Sequence, residues 1–170
     1  MPVYTLYLST QITTPASNIV VPVNKTNLAN VSWNIDWDNL FRKENYLYTN
    51  CRVRFQLVTN KWTAAAGNTD WDDYQGYLGC SLPSSYNATT TNNTILAMIY
   101  PTDVYTVSAS SSHAYVISSL SDVGVDINMP KYNSVFNLQF RTTNTQNFIP
   151  TTIMPEYQIL LTFELYNQDD

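Results

Sequence analysis

The residues able to do chemistry are few and scattered. His113 is the single histidine, and Ser110, Ser111 and Ser112 run into it. A Ser–His–Asp system would have to use them, with a serine oxygen as nucleophile and the imidazole as its base. Neighbours in a strand point to opposite faces, and the chain has no Gly-x-Ser-x-Gly turn. The expectation is a surface or strand-edge histidine. Asp70, Asp72 and Asp73 offer the oxygen ligands that calcium takes. They lack the Asp-x-Asp-x-Asp-Gly order of the known calcium loop, so a solvated acidic loop is expected. Glycoside hydrolysis would need two carboxylates across a cleft, drawn from Asp36, Asp38, Glu156 or Glu164. Nothing in the sequence sets any two of them opposite each other. There is no phosphate-binding glycine loop and no Cys/His metal cluster. The reading is a protein that is not an enzyme, with no catalytic residue, no metal site and no cofactor.

One cluster could recognise rather than react. Trp62, Trp71, Tyr74 and Tyr77 crowd one loop and the strand after it. They form either an exposed aromatic patch for a partner subunit or a sugar, or a loop packed on its own rings. Trp33 and Trp37 read as core.

The elements behind these residues are strands. Tyr4, Leu6 and Leu8 alternate, and so do Val31, Trp33, Ile35 and Trp37. Ile19 to Val21 suggests a short edge strand between prolines 15 and 22. Asp36 or Asp38 is placed to cap one or two helical turns that turn Trp37, Leu40 and Phe41 inward. Cys51, Val53, Phe55 and Leu57 share one face of the sharpest strand, with Arg52, Arg54 and Gln56 opposite. A long loop is expected over 60–74 and a strand over 75–82. Residues 95–100 are apolar on both faces, which predicts cover on both. Val104 to Val107 reads as strand or connector. Ala114 to Ile117 is a short strand, and Val123, Val125 and Ile127 form another or continue it. Phe136, Leu138 and Phe140, then Tyr157 to Leu165, complete the set. About eight strands in one domain spanning 1–170 suit two packed antiparallel sheets.

Composition narrows the function. Charged residues are 12% of the 170, about half the usual share of roughly 25%. Asn, Thr, Ser and Tyr supply the polarity, and such a surface loses less side-chain entropy on association. The net charge is −5, and the longest basic run is Arg42-Lys43. Direct nucleic-acid binding and adhesion to an anionic membrane are both disfavoured. No run is long enough to span a membrane, so no insertion is expected. Cys51 and Cys80 read as small buried residues rather than a bridge, although their pairing is open from sequence. The opening Met-Pro-Val-Tyr-Thr-Leu-Tyr-Leu has no basic segment or apolar stretch of signal-peptide length. A cytosol-like compartment is expected until assembly. The sequons at Asn24, Asn30, Asn87 and Asn92 then follow from Asn/Thr richness.

Three stretches stand out together: Tyr4-Thr5-Leu6-Tyr7-Leu8-Ser9, then Asn30-Val31-Ser32-Trp33-Asn34-Ile35-Asp36-Trp37-Asp38-Asn39-Leu40-Phe41, then Cys51-Arg52-Val53-Arg54-Phe55-Gln56-Leu57. They resemble the small single jelly-roll capsid proteins of large double-stranded DNA viruses and their virophages. From position 60 onward the likeness is one of architecture. The resemblance implies an all-β single jelly roll of about eight antiparallel strands in two sheets. It also implies a structural protein of an icosahedral shell, located in the virion and assembled in the host cell. Such a chain would be a penton at five-fold vertices, as a homopentamer, in contact with a larger double jelly-roll major capsid protein. A minor or cement capsid role is the alternative, and a carbohydrate-binding sandwich is a further one. The small size, without a sizeable inserted domain, leans to the penton.

Overall fold

Alternation of side chains decides which way each strand faces. In β4 (Asn50–Thr59), Cys51, Val53, Phe55 and Leu57 are buried, while Arg52, Arg54, Gln56 and Val58 look outward. The same period of two runs through β1 (Val3–Ser9), β3 (Asn30–Asp36), β11 (Asn133–Thr142) and β12 (Tyr157–Tyr166). The computed structural model describes residues 1–13, 20–59, 62–63, 76–83, 94–99, 104–106, 112–119, 124–142, 147–149 and 154–167. The remaining strands are β2 (Pro22–Asn27), β5 (Trp62–Thr63), β6 (Gly76–Cys80), β7 (Thr94–Ile99), β8 (Val104–Thr106), β9 (Ser112–Ser118) and β10 (Val125–Asn128).

The strands pair antiparallel into two sheets. One runs β1-β12-β4-β9-β5, with β10 also on β4 and β8 also on β9. The other runs β2-β3-β11-β6-β7. β9 and β10 lie along the same edge of β4: Val116–Ser118 face Val58–Gln56, and Val125–Asn128 face Val53–Asn50. They are two halves of one interrupted strand. Counted so, β1, β12, β4 and β9/β10 face β3, β11, β6 and β7. That is a single jelly roll, an all-β sandwich of eight principal strands. Gly124, just before β10, is in the left-handed region at φ 72°, directly beside the Val53 carbonyl, where a side chain would collide.

Three local expectations need correction, and one open choice is resolved. The early edge strand is Pro22–Asn27, and Val20 and Val21 lie outside it; Ile19 is outside the described residues. A proline is tolerated at the first residue of an edge strand, and the Asn27 side chain accepts from Ala29 N to form the turn into β3. Trp62 and Thr63 lie in a short strand against His113 and Ser112, not in a continuous loop. The choice between strand and connector at residues 104–106 falls to strand, paired with β9. β7 is not covered on both faces: Ile95 is 41% exposed. A register shift between Leu78 and Gly79 inserts an extra residue, so Leu96 and Ala97 both turn inward. Among the described residues, no helix is long and apolar enough to cross a membrane.

The core is closed at one end by helix α1 (Trp37–Leu40), capped by Asp36, whose side chain accepts from Asn39 N at 3.1 Å. Trp37 and Phe41 are fully buried and stack at 5.9 Å. Trp37 meets Phe136 of one sheet at 5.9 Å and Phe163 of the other at 5.6 Å, both edge-on. Its indole N–H donates to Ser134 Oγ at 2.8 Å. Truncating Trp37 to alanine removes a ring shared by both sheets. The expected loss is about 3–5 kcal/mol in a denaturant titration; a loss under about 1 kcal/mol would show that the ring does not join the layers.

Cys51 and Cys80 are buried, unpaired and on different sheets. Burial pushes both thiols up to about 12. Neither should label with an aromatic disulfide reagent at neutral pH in the folded protein, and both should label in denaturant.

Candidate interaction surface

The connection leaving α1 takes an unusual path. Arg42 and Lys43 both occupy the left-handed region, at φ 51° and 64°. Glycine or asparagine ordinarily sits there, and each such residue costs about 1 kcal/mol or more. Lys43 N closes the turn by donating to Asp38 O at 2.7 Å. A third such residue, Tyr132 at φ 62°, precedes β11. Backbone strain on bulky residues persists where the surroundings hold it in place.

Asp38 holds it. Its Oδ1 accepts from Asn45 Nδ2 at 2.8 Å and from Tyr132 N at 2.9 Å. Its Oδ2 accepts from the Tyr46 hydroxyl at 2.8 Å. Asn45 is fully buried and also donates to Pro130 O at 3.1 Å. One carboxylate thus ties the turn after α1 to the turn before β11. Trp37 N donating to Tyr132 O at 2.9 Å completes the tie.

What this tie presents to solvent is ring-rich. Tyr46 and Tyr132 meet edge-on at 6.3 Å, and the Lys131 ammonium lies over the Tyr46 ring at 5.1 Å. Tyr132 is 68% exposed and Leu47 72%. Val135 is exposed nearby in sequence on β11. Beside them Asp36, Asp38, Asn39, Arg42 and Lys43 line an open depression of about 430 Å³. Among the described residues Arg42, Lys43 and Lys131 make no ion pair, whereas Arg52 is paired with Asp126 and Arg54 with Glu164, each at 2.9 Å. Exposed aromatics on a rigid base are the usual anchors of a protein contact.

The sequence-derived aromatic cluster fares differently. Trp71 and Tyr74 lie outside the described residues, as do Asp70, Asp72 and Asp73. Trp62 is on β5 of one sheet and Tyr77 on β6 of the other, opposite Arg141 and Met98. His113 is set on β9 between Trp62 and Thr106. The four carboxylates weighed for hydrolysis have separate structural partners. Asp36 caps α1, Asp38 ties the two turns, Glu164 pairs with Arg54, and Glu156 accepts from the Thr10 hydroxyl. Among the described residues, no group of three His, Cys, Asp or Glu is placed to hold a metal ion.

No protein-family model matches this chain, and no curated protein matches its sequence. The function has to be read from the surface itself. Sequence reasoning missed Tyr46, Leu47 and Tyr132, because residues 38 and 132 meet only in the folded chain. The available signal was Asp38 just after a cap, with a tyrosine and an asparagine within eight residues.

The Asp38 carboxyl is held below its ordinary range, first by the Asn45 amide and further by Tyr132 N–H and the Tyr46 hydroxyl. The Tyr46 hydroxyl is raised to about 12, chiefly because it donates to Asp38. The depressed carboxyl stabilises the fold above its unfolded pKa, and that contribution fades as pH falls through the folded value. The raised phenol contributes fully below its unfolded value of about 10 and is lost as pH climbs towards 12. Tyr46→Phe should move the Asp38 titration up towards the ordinary carboxylate range, read by carboxyl NMR. An unmoved titration would show that the hydroxyl carries none of the effect.

Proposed function

We propose that this jelly roll is a structural subunit of an icosahedral viral shell, a penton that closes five-fold vertices as a ring of five copies. It would abut a larger double jelly-roll capsid protein. The carrying observation is the exposed Tyr46–Leu47–Tyr132 patch, held by Asp38 on a backbone that is strained in three places. The likeness of the β1, β3 and β4 segments to small capsid proteins supports the same reading. A closed ring joins two different faces of each copy, so it needs one patch that seats on another surface. A jelly roll alone does not decide function, because capsid and lectin domains share it. The low share of charged residues, 12%, suits a surface that stays in permanent contact.

The sugar-binding alternative rests on Trp62, Trp71, Tyr74 and Tyr77. Trp62 and Tyr77 belong to strands of separate sheets, and Trp71 and Tyr74 lie outside the described residues. A minor capsid role uses the same patch against the major protein instead of a copy.

Light scattering after gel filtration should give five copies per particle. Leu47→Asp, at an exposed position, and Tyr132→Asn, which tolerates the left-handed backbone, should each shift the protein to smaller species without loss of strand signal. A wild-type protein that never exceeds a dimer overturns the ring.

A further inference from the structure

We infer that the outer edge of β1 is a strand-pairing site for the β1 of a second copy, arranged antiparallel about a two-fold axis. This inference does not rest on the capsid reading.

The observation begins with hydrogen bonds. Leu165 N donates to Pro2 O and Thr10 N donates to Tyr157 O, both at 3.0 Å. Between these, the β1–β12 register is unbroken from Val3↔Glu164 to Ser9↔Gln158. In an antiparallel ladder, alternate residues turn their backbone groups to the partner. Pro2, Tyr4, Leu6, Leu8 and Thr10 therefore face β12. Val3, Thr5, Tyr7 and Ser9 turn their N–H and C=O groups the other way. Among the described residues no strand pairs with that edge, since β1 ends the sheet order. Ser9 is buried, but Val3 is 57% exposed, Tyr7 is 47% exposed and Thr5 lies open between them.

Exposed edges invite pairing, and proteins normally blunt them. The opposite sheet follows that rule. Its edge strand β2 opens on Pro22, carries Lys25 and has two register shifts against β3. β7, at that sheet's other edge, is irregular at Leu96. β1 has none of these devices: seven residues, Val3 to Ser9, with no proline, no charge and no bulge.

The occupant follows from self-complementarity. Centre an antiparallel pair on Thr5, and it faces the partner's Thr5. Val3 then faces the partner's Tyr7, and Tyr7 the partner's Val3. These are the residues whose backbone groups are free, so each becomes a hydrogen-bonded pair. Their side chains share the outer face, where Thr–Thr and aromatic–β-branched pairs are favourable. Leu160, 40% exposed and in register with Tyr7, extends the apolar row. The net charge of −5 would oppose association of copies, yet the segment itself brings no like charges together. Two seven-stranded sheets would become one.

The test uses the full chain. Sedimentation should show wild-type self-association that Thr5→Lys weakens about tenfold or more, by setting two ammonium groups opposite each other. Thr5→Pro removes only the outward N–H, leaves the β12 ladder intact and should act alike. Circular dichroism and a thermal melt check that both variants stay folded, and Thr5→Lys decides if the proline variant does not. Thr5→Cys should form a covalent dimer on mild oxidation, while Asn34→Cys on the other sheet should not; the native thiols are buried. A strictly monomeric wild type overturns the inference. So does association that Thr5→Lys leaves intact with no Thr5→Cys cross-link, and a ring of five seen then would leave the capsid reading standing. A dimer lost in Thr5→Lys, with nothing larger in the wild type, upholds the inference and removes the ring.

Discussion

Trp37 and Phe41 stand where the two sheets would otherwise part. Their stacked rings contact Phe136 on β11 and Phe163 on β12, so one short helix is shared by both layers. Tyr4 adds an edge-on contact to Phe41 at 5.5 Å and donates its hydroxyl to Glu44 Oε2 at 2.6 Å. The first strand is thereby tied to the same plug. A sandwich held only by opposed aliphatic faces can slide, whereas interlocked rings fix its spacing and angle. The turn after α1 can be strained because it is anchored on that base.

The two outer faces differ in character. On the five-stranded sheet Asn137 Nδ2 donates to Asn30 Oδ1 at 2.7 Å, Ser32 Oγ at 3.0 Å and Val31 O at 3.1 Å. The two amide protons of Asn137 are shared among these three acceptors on β3. The seven-stranded sheet separates its residues by row. Arg52, Asp126, Arg54 and Glu164 pair at one end, with Arg52 also over the Tyr166 ring at 5.0 Å. Tyr7, Leu160 and Val58 lie at the other, exposed and apolar. These partly exposed ion pairs each contribute on the order of 0.2–1 kcal/mol.

Much of the fold was legible because alternation survives in the long strands. Cys51 to Leu57, Phe136 to Phe140 and Tyr157 to Leu165 each show their buried face in sequence, and Asp36 marks its helix. The errors fell where period two breaks. The extra residue at Leu96 made a partly exposed edge strand read as covered on both faces. β5 is too short to show a period. The continuation from β9 to β10 was an open choice, and only the shared edge of β4 resolves it. The interaction surface was not legible. Tyr46 and Tyr132 lie far apart in the chain and are brought together by a single carboxylate, so spacing in sequence gives no sign of their meeting.

The place of β12 has a consequence for synthesis. The final strand of the fold lies in the middle of its sheet, between β1 and β4. Residues 3–9 cannot find their neighbours until residues 158–164 have been made. A growing chain therefore carries two unzipped strand flanks until residues 158–164 have emerged. Such distant pairing folds slowly and leaves sticky backbone open while it waits. An emerging polypeptide of this design has reason to be chaperoned, or crowded among its own kind, until β12 is in place.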